Sequence, residues 1–207
     1  MNAAPAATGV TVRRVAPADA APTVALLDTL RVSLFGAQTH RLHRALVADG
    51  MAQWIDCRVA IADKDPCGVV IAAPRAYWRS ALLLHPAVAL DCLRARIAPA
   101  PAATPTDRSE EAVAVHQSVA FDDGTPRRTW DEPGDAWRII IVATAPAARG
   151  RGVAADLYRS VMRDRSLVAR IAPDNHASIR LHRSVGWRLY RDSGGVLAVH
   201  DLEQSTT

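Results

Sequence analysis

Cysteine, lysine and aromatic residues are all scarce in this chain of 207 residues, and each scarcity excludes a class of protein. The three cysteines, Cys57, Cys67 and Cys92, are odd in number and form no Cys-x-x-Cys pair. Neither a disulfide framework nor a thiolate metal site is therefore expected; reduced thiols packed as small hydrophobes in a cytoplasmic protein are. The seven histidines show no His-x-x-x-His or mixed His/Cys cluster, and no metal site is expected. Aromatic residues make up 5% of the chain, too few for base-stacking platforms, and no basic run has the length of a nucleic-acid arm. Lys64 is the one lysine, so arginine carries the formal net charge of +4. A pI near 9.4 is the whole case for nucleic-acid binding, and no nucleic-acid partner is expected. No apolar run approaches the roughly 20 residues that span a bilayer, so no membrane partner is expected. Residues 1–9 lack the basic start and apolar stretch of a signal peptide and read as a loose tail.

What the chain does have is a regular alternation of apolar runs with helical patterns. Val10–Val15 alternates as a strand does, and Asp19 follows at a turn or helix start. Val24, Leu26, Leu27, Leu30 and Leu34 mark a helix reaching about Phe35. A second helix is expected over Thr39–Asp49, with Gly50 as its stop. Cys57–Ala62 and Gly68–Ala72 are short strands joined through Asp63-Lys64-Asp65-Pro66 as a hairpin. Tyr77–Ile97 is helical, with Pro86 kinking or dividing it. Its Leu82–Leu84 cluster is expected as extra core, the alternatives being a cover over an apolar acceptor or a homodimer contact. Residues 98–106 are an Ala/Pro linker, and Glu111–Phe121 alternates as a strand. Arg188–Arg191 and Val196–Leu202 close the chain as a hairpin, leaving 204–207 as a tail. The fold class this implies is α/β or α+β: one domain over 10–203 built on a mixed sheet, helices on both faces, with a helical insertion over about 75–110.

The chemistry concentrates between Trp137 and Trp187. A β-rich run, Trp137–Thr144, leads through Pro146 to Arg149-Gly150-Arg151-Gly152-Val153-Ala154, and a helical pattern follows. Two glycines permit a tight turn, and at a helix N-terminus such a turn presents successive backbone N–H groups to an anion. No Gly-Lys-Ser/Thr follows, so this is not a P-loop, and the third glycine of a dinucleotide fingerprint is missing. Read alone, the loop is either a phosphate cradle or a plain helix start.

The residues around it narrow that choice. Arg149–Ala154 resembles the Arg/Gln-x-x-Gly-x-Gly/Ala loop of the GNAT superfamily of acyl-CoA-dependent N-acetyltransferases. Asn175–Trp187 is similar to that family's Asn-x-x-Ala-x-x-Leu-Tyr-x-x-x-Gly-Phe segment, and Val12–Ala20 to its Ile-Arg-x-Ala-x-x-x-Asp opening. The resemblance implies a splayed pair of central strands holding acetyl-CoA as co-substrate. It implies a pyrophosphate on the amides of Arg149, Gly150, Arg151, Gly152, Val153 and Ala154. Val142, Ala143 and Thr144 would bond the pantetheine, with Asn175 and Ser178 alongside. An amine would attack the thioester directly, with backbone N–H near Ala143–Thr144 stabilising the oxyanion. The acceptor is expected to be a small-molecule primary amine, with a protein amine left open.

Two positions depart from the family pattern. His182 stands where the family has a tyrosine that protonates the departing thiolate; an imidazole can donate that proton, and His182 is the expected acid. Tyr190 is a remoter candidate, and Tyr158 reads as an exposed helix residue. Where many relatives carry a basic glutamate the chain reads Trp137-Arg138, and Asp135 is taken as the base, ahead of Glu132 and His116. These departures motivate an alternative, a non-catalytic acyl-CoA-binding module.

Overall fold

One sheet of seven strands carries the molecule, in the order β1-β2-β3-β4-β5-β7-β6. The computed structural model describes residues 9–30, 40–97, 136–192 and 195–202. Its strands are β1 (Val10–Arg14), β2 (Asp56–Ala62), β3 (Asp65–Pro74), β4 (Trp137–Thr144), β5 (Leu167–Ile171), β6 (Arg188–Asp192) and β7 (Gly195–His200). All neighbours are antiparallel except β4 and β5, which run parallel. The helices are α1 (Ala20–Thr29), α2 (His40–Met51), α3 (Tyr77–Leu84), α4 (Pro86–Ile97), α5 (Val153–Val161) and α6 (His176–Ser184). Among the described residues no helix is long and apolar enough to cross a membrane.

Strand alternation sends side chains to two core layers. Val59, Val69, Ile71 and Ala73 point to one face, where they meet Leu27 of α1 and Leu46 of α2. Ala60, Val70 and Ala72 point to the other, against Val153, Leu157 and Val161 of α5 and Ile179 of α6. The spacing 153, 157, 161 is one helical stripe, and all three residues are buried.

Several expectations shift. Gly50 does not end the second helix; it lies in the last turn of α2, and it is a glycine for packing, since a Cβ there would overlap the Cβ of Cys57 on the strand beneath. The first helix stops at Thr29, and residues 31–39 lie outside the described ones. The hairpin turn is tighter than expected. Asp63 and Lys64 alone take positive φ (50° and 75°), and Asp65 and Pro66 already pair with Ala62 and Ile61. Pro86 divides its helical stretch, starting α4 with only His85 between it and the end of α3 at Leu84. This insertion gives Tyr77, Ala81, Val88 and Cys92 to the core, but Leu83 and Leu84 are exposed, against the expectation of extra core. The linker and the strand over Glu111–Phe121 lie outside the described residues, as do both tails and His116 and Glu132.

Candidate active site

The strand β4 is central in the sheet yet only half-buried along most of its length. The pairing explains this. β3 accompanies β4 from Pro74–Trp137 to Gly68–Thr144, whereas β5 pairs with it only at Trp137–Leu167 and Arg138–Val168. Beyond Arg138 the two parallel strands separate, and among the described residues the β5 side of Ile139–Thr144 has no strand partner. A bulge between Ile71 and Ala72 in the β3 register bends β4 where the separation begins. The result is a wedge-shaped opening lined by backbone.

The closed end of the wedge is clamped. Arg165, just before β5, lies with its guanidinium carbon 4.3 Å from the Trp137 ring centroid and reaches Asp56 at 3.5 Å. Asp56 is buried and also takes Arg58 at 3.0 Å. This ion cluster ties β2 to the start of β4 and β5.

At the open end, Thr144 leads into a groove of about 670 Å3. One wall is the loop of Arg149, Gly150 and Gly152 with the first turn of α5; the other is Leu181, Ser184, Val185 and Gly186 at the end of α6. Gly150 and Gly152 have φ of 73° and 79°, a conformation that glycine adopts without penalty. Gly152 is the N-cap and brings no capping side chain, and the first intrahelical bond is Asp156 N–H to Gly152 O at 3.0 Å. The amides of Val153, Ala154 and Ala155 therefore have no helical acceptor, at the end where the macrodipole is positive. Arg149 closes over the strand end, its Nε donating to the Thr144 carbonyl at 3.4 Å. Arg159 lines the groove from one turn further along α5, paired with Asp156 at 2.7 Å. The arrangement suits a long, polyanionic ligand: oxygens on the loop amides, an extended arm beside β4.

Below the groove α5 and α6 are joined by a buried polar pair. The Tyr158 hydroxyl donates to His182 Nε2 at 2.8 Å, and His182 Nδ1 donates to the Ser178 carbonyl at 2.7 Å. A carbonyl only accepts, so Nδ1 carries the proton and Nε2 offers its lone pair to Tyr158. His182 is 1% exposed, and burial pulls its pKa down to about 4, outweighing the Ser178 bond that pushes it up. Trp187 stacks edge-on against both rings, 5.4 Å from Tyr158 and 4.8 Å from His182, and donates to Met162 Sδ at 3.2 Å.

The sequence and structure comparisons agree with this geometry. A family model described as the Acetyltransferase (GNAT) family matches residues 85–187, the span from the start of α4 to Trp187. The chain is a GNAT-family protein. The GNAT fold recurs in solved structures at low identity. Arabidopsis thaliana NAA60 in complex with acetyl-CoA superposes with a TM-score of 0.53 at 15% identity, covering 92% of this chain and 97% of its own. An N-acetyltransferase from Staphylococcus aureus gives 0.52 at 16%, covering 91% and 98%. The Escherichia coli GNAT protein YhbS in complex with CoA gives 0.50 at 14%, covering 98% and 86%. No curated protein matches by sequence.

Within this GNAT scaffold the expected site residues are distributed unevenly. Thr144, Arg149, Gly150, Gly152, Val153 and Ala154 share the groove. Val142 and Ala143 lie on the length of β4 that pairs with β3 and not with β5. Arg151 is exposed in the loop and acts electrostatically on Cys67 of β3, lowering a thiol pKa that burial raises more strongly. Asn175 caps α6, its side-chain oxygen accepting from Ser178 N–H at 3.1 Å. Ser178 is not among the residues lining the groove; its hydroxyl and carbonyl meet His182 Nδ1 at 3.4 and 2.7 Å. His182 faces the core, not the groove, and Tyr158 is buried with it instead of lying exposed. Asp135 lies outside the described residues. Sequence reasoning missed Leu181, Ser184 and Val185 as groove wall. Their signal was helical: 181, 184 and 185 form one stripe, and 182 falls on another.

Proposed function

We propose that this chain is an N-acetyltransferase that moves the acetyl group of acetyl-CoA to a primary amine of a small molecule. The observation that carries the reading is the juxtaposition of an uncapped, glycine-shaped helix N-terminus with a parallel strand pair that parts after two residues. The first holds a diphosphate and the second admits a pantetheine arm. Bound so, the co-substrate has its pyrophosphate on the amides of Arg149–Ala154 and its arm along Val142–Thr144, with Asn175 and Ser178 on the α6 side. The thioester then sits in the wedge. The amine nitrogen attacks the thioester carbon, and backbone N–H near Ala143–Thr144 meets the developing oxyanion. Collapse breaks the C–S bond, and the ammonium proton passes to Asp135 or to water.

His182 enters this reading as a strut instead of the acid. Both its nitrogens are engaged inside the protein, and a ring with a pKa of about 4 holds no proton to give at Nε2 near neutral pH. The departing thiolate, with a reference pKa of about 8.5, can take its proton from water.

One observation favours a second reading, a non-catalytic acyl-CoA-binding module. Among the described residues lining the groove there is no carboxylate, imidazole or phenol. Thermal shift with acetyl-CoA, CoA, ATP and NAD tests the ligand: at about 100 times Kd a true ligand adds about 2.7 kcal/mol of stability. Thiol release across a panel of primary amines then separates the readings. Stabilisation by acetyl-CoA with no thiol release from any amine leaves the binding module; no stabilisation by any CoA species removes both.

A further inference from the structure

On the other face of the sheet lies a second cavity, of about 870 Å3. It is walled by α1 and α2 and closed at one end by the corner between α3 and α4. Its Val24, Val47 and Val88 belong to the core layer of Val59 and Ile71, whereas Ala148 and Val153 of the acetyl-CoA groove belong to the layer of Val70 and Ala72. The two cavities share no lining residue. A volume of about 300–1,000 Å3 is that of a small-molecule site.

The floor is small and apolar, made largely of alanine and valine from the two helices. Five polar side chains stand over it: Asp28, His40, Arg41, Arg44 and His85. Three have partners within the protein. Asp28 takes His40 on one carboxylate oxygen at 2.6 Å and His43 on the other at 2.5 Å. His85 Nε2 lies 3.1 Å from both oxygens of the buried Asp49, which also takes the Tyr77 hydroxyl. Arg41 and Arg44 remain. They are three residues apart on α2, so they project from one side of the helix about 5–6 Å apart at Cβ. Neither forms an ion pair with a described carboxylate.

We propose that this cavity binds a small organic carboxylate with an apolar body, the carboxylate held by Arg41 and Arg44 and the body lying on the alanine–valine floor. Guanidinium forks match carboxylates bidentately, and two on one helix face can close on a single head group. An ammonium ligand does not fit, because the one carboxylate in the lining, Asp28, has both oxygens occupied. A bare inorganic anion would leave the floor wet. The assignment is independent of acetyl transfer, since it uses no residue of the acetyl-CoA groove.

The test is an amide NMR titration of the full chain with octanoate, acetate and octylamine. Octanoate is expected to shift signals on α1 and α2, Ala25 and Ala48 among them, and to bind at least about tenfold more tightly than acetate, with octylamine silent. The variant Arg41→Gln/Arg44→Gln is expected to weaken octanoate at least about tenfold while keeping full thermal stabilisation by acetyl-CoA. A second variant, Ala48→Trp, fills the cavity from an exposed helix position and is expected to abolish octanoate binding. Octanoate binding unchanged in both variants, octylamine binding as well as octanoate, or the absence of shifts on α1 and α2 would each overturn the assignment.

Discussion

The sharpest consequence of the Tyr158–His182 pair is acid sensitivity with a known origin. In the native chain the imidazole takes a proton only near pH 4, because burial disfavours the charged ring. In the unfolded chain it takes one near its reference value of 6.5. Between those values the unfolded state binds a proton that the folded state refuses, so stability is full above about pH 6.5 and falls as pH drops towards 4. The gap is about 2.5 pH units at 1.36 kcal/mol each, or about 3 kcal/mol. That is a large share of the roughly 5–15 kcal/mol typical of a domain. Buried carboxylates and His200, whose pKa burial also lowers, contribute to the raw profile, so the assay is a difference. Urea unfolding of the wild type and of His182→Gln, which keeps an acceptor for Tyr158, is followed from pH 7.5 to pH 4.5. The stability gap between the two is expected to hold down to about pH 6.5 and then to shrink by most of the roughly 3 kcal/mol by pH 4.5. A gap that stays constant would mean that the ring is protonated freely in the native state, and the buried-strut account would be wrong.

Tyr158→Phe keeps the ring and opens no cavity, but strands the buried Nε2 lone pair of His182. The expected loss is about 1–3 kcal/mol, seen as a fall in Tm of about 2–4 °C per kcal/mol for a chain of this size. Asp56→Ala removes the buried carboxylate that Arg58 and Arg165 share at the closed end of the wedge, leaving Arg165 its bond to Asp164 at 2.9 Å and Arg58 without its partner. It should cost about 3–5 kcal/mol in urea unfolding; a loss within error of zero would show that the cluster is solvated. Ala155→Glu has opposed effects that separate groove from fold. A carboxylate in the first turn of α5 is expected to add about 0.3–1 kcal/mol to stability through the helix dipole. The same charge enters the groove and should abolish the thermal shift with acetyl-CoA. Retention of that shift would place the diphosphate elsewhere.

What the sequence makes visible follows from how local the cause is. β4 announces itself because three isoleucines and a valine in a row suit a pleated, buried strand, and the loop because a Gly-x-Gly ahead of an apolar 153/157/161 stripe serves one kind of turn. Pro86 divides α3 from α4 for a reason contained in its own ring. The misses have causes distant in the chain. Position 50 is a glycine because Cys57 on the next strand needs the space a Cβ would take, and nothing near Gly50 records that. Tyr158 looks exposed until α6 is known to lie over it with His182, 24 residues later. Leu83 and Leu84 look like core because they are leucines, yet the helix turns them outward.

His182 shows why a motif match places a backbone position more firmly than a chemical role. The Asn175 cap and Gly186 fix where α6 starts and ends, so the residue at 182 has its place on the helix whichever side chain it carries. Which way that side chain turns depends on what fills the space beneath. Here a tyrosine on α5 supplies a hydroxyl that a histidine can accept, and Trp187 closes over both rings. The pair satisfies two buried polar groups at once, which neither achieves alone, and it holds apart the two helices whose ends form the groove. The outward stripe of α6 then falls to Leu181, Ser184 and Val185, none of which moves a proton near neutral pH. If the chain turns over acetyl-CoA, its proton traffic runs through water or through residues outside the described groove lining. The Tyr158–His182 strut then acts on catalysis only by keeping the groove in shape.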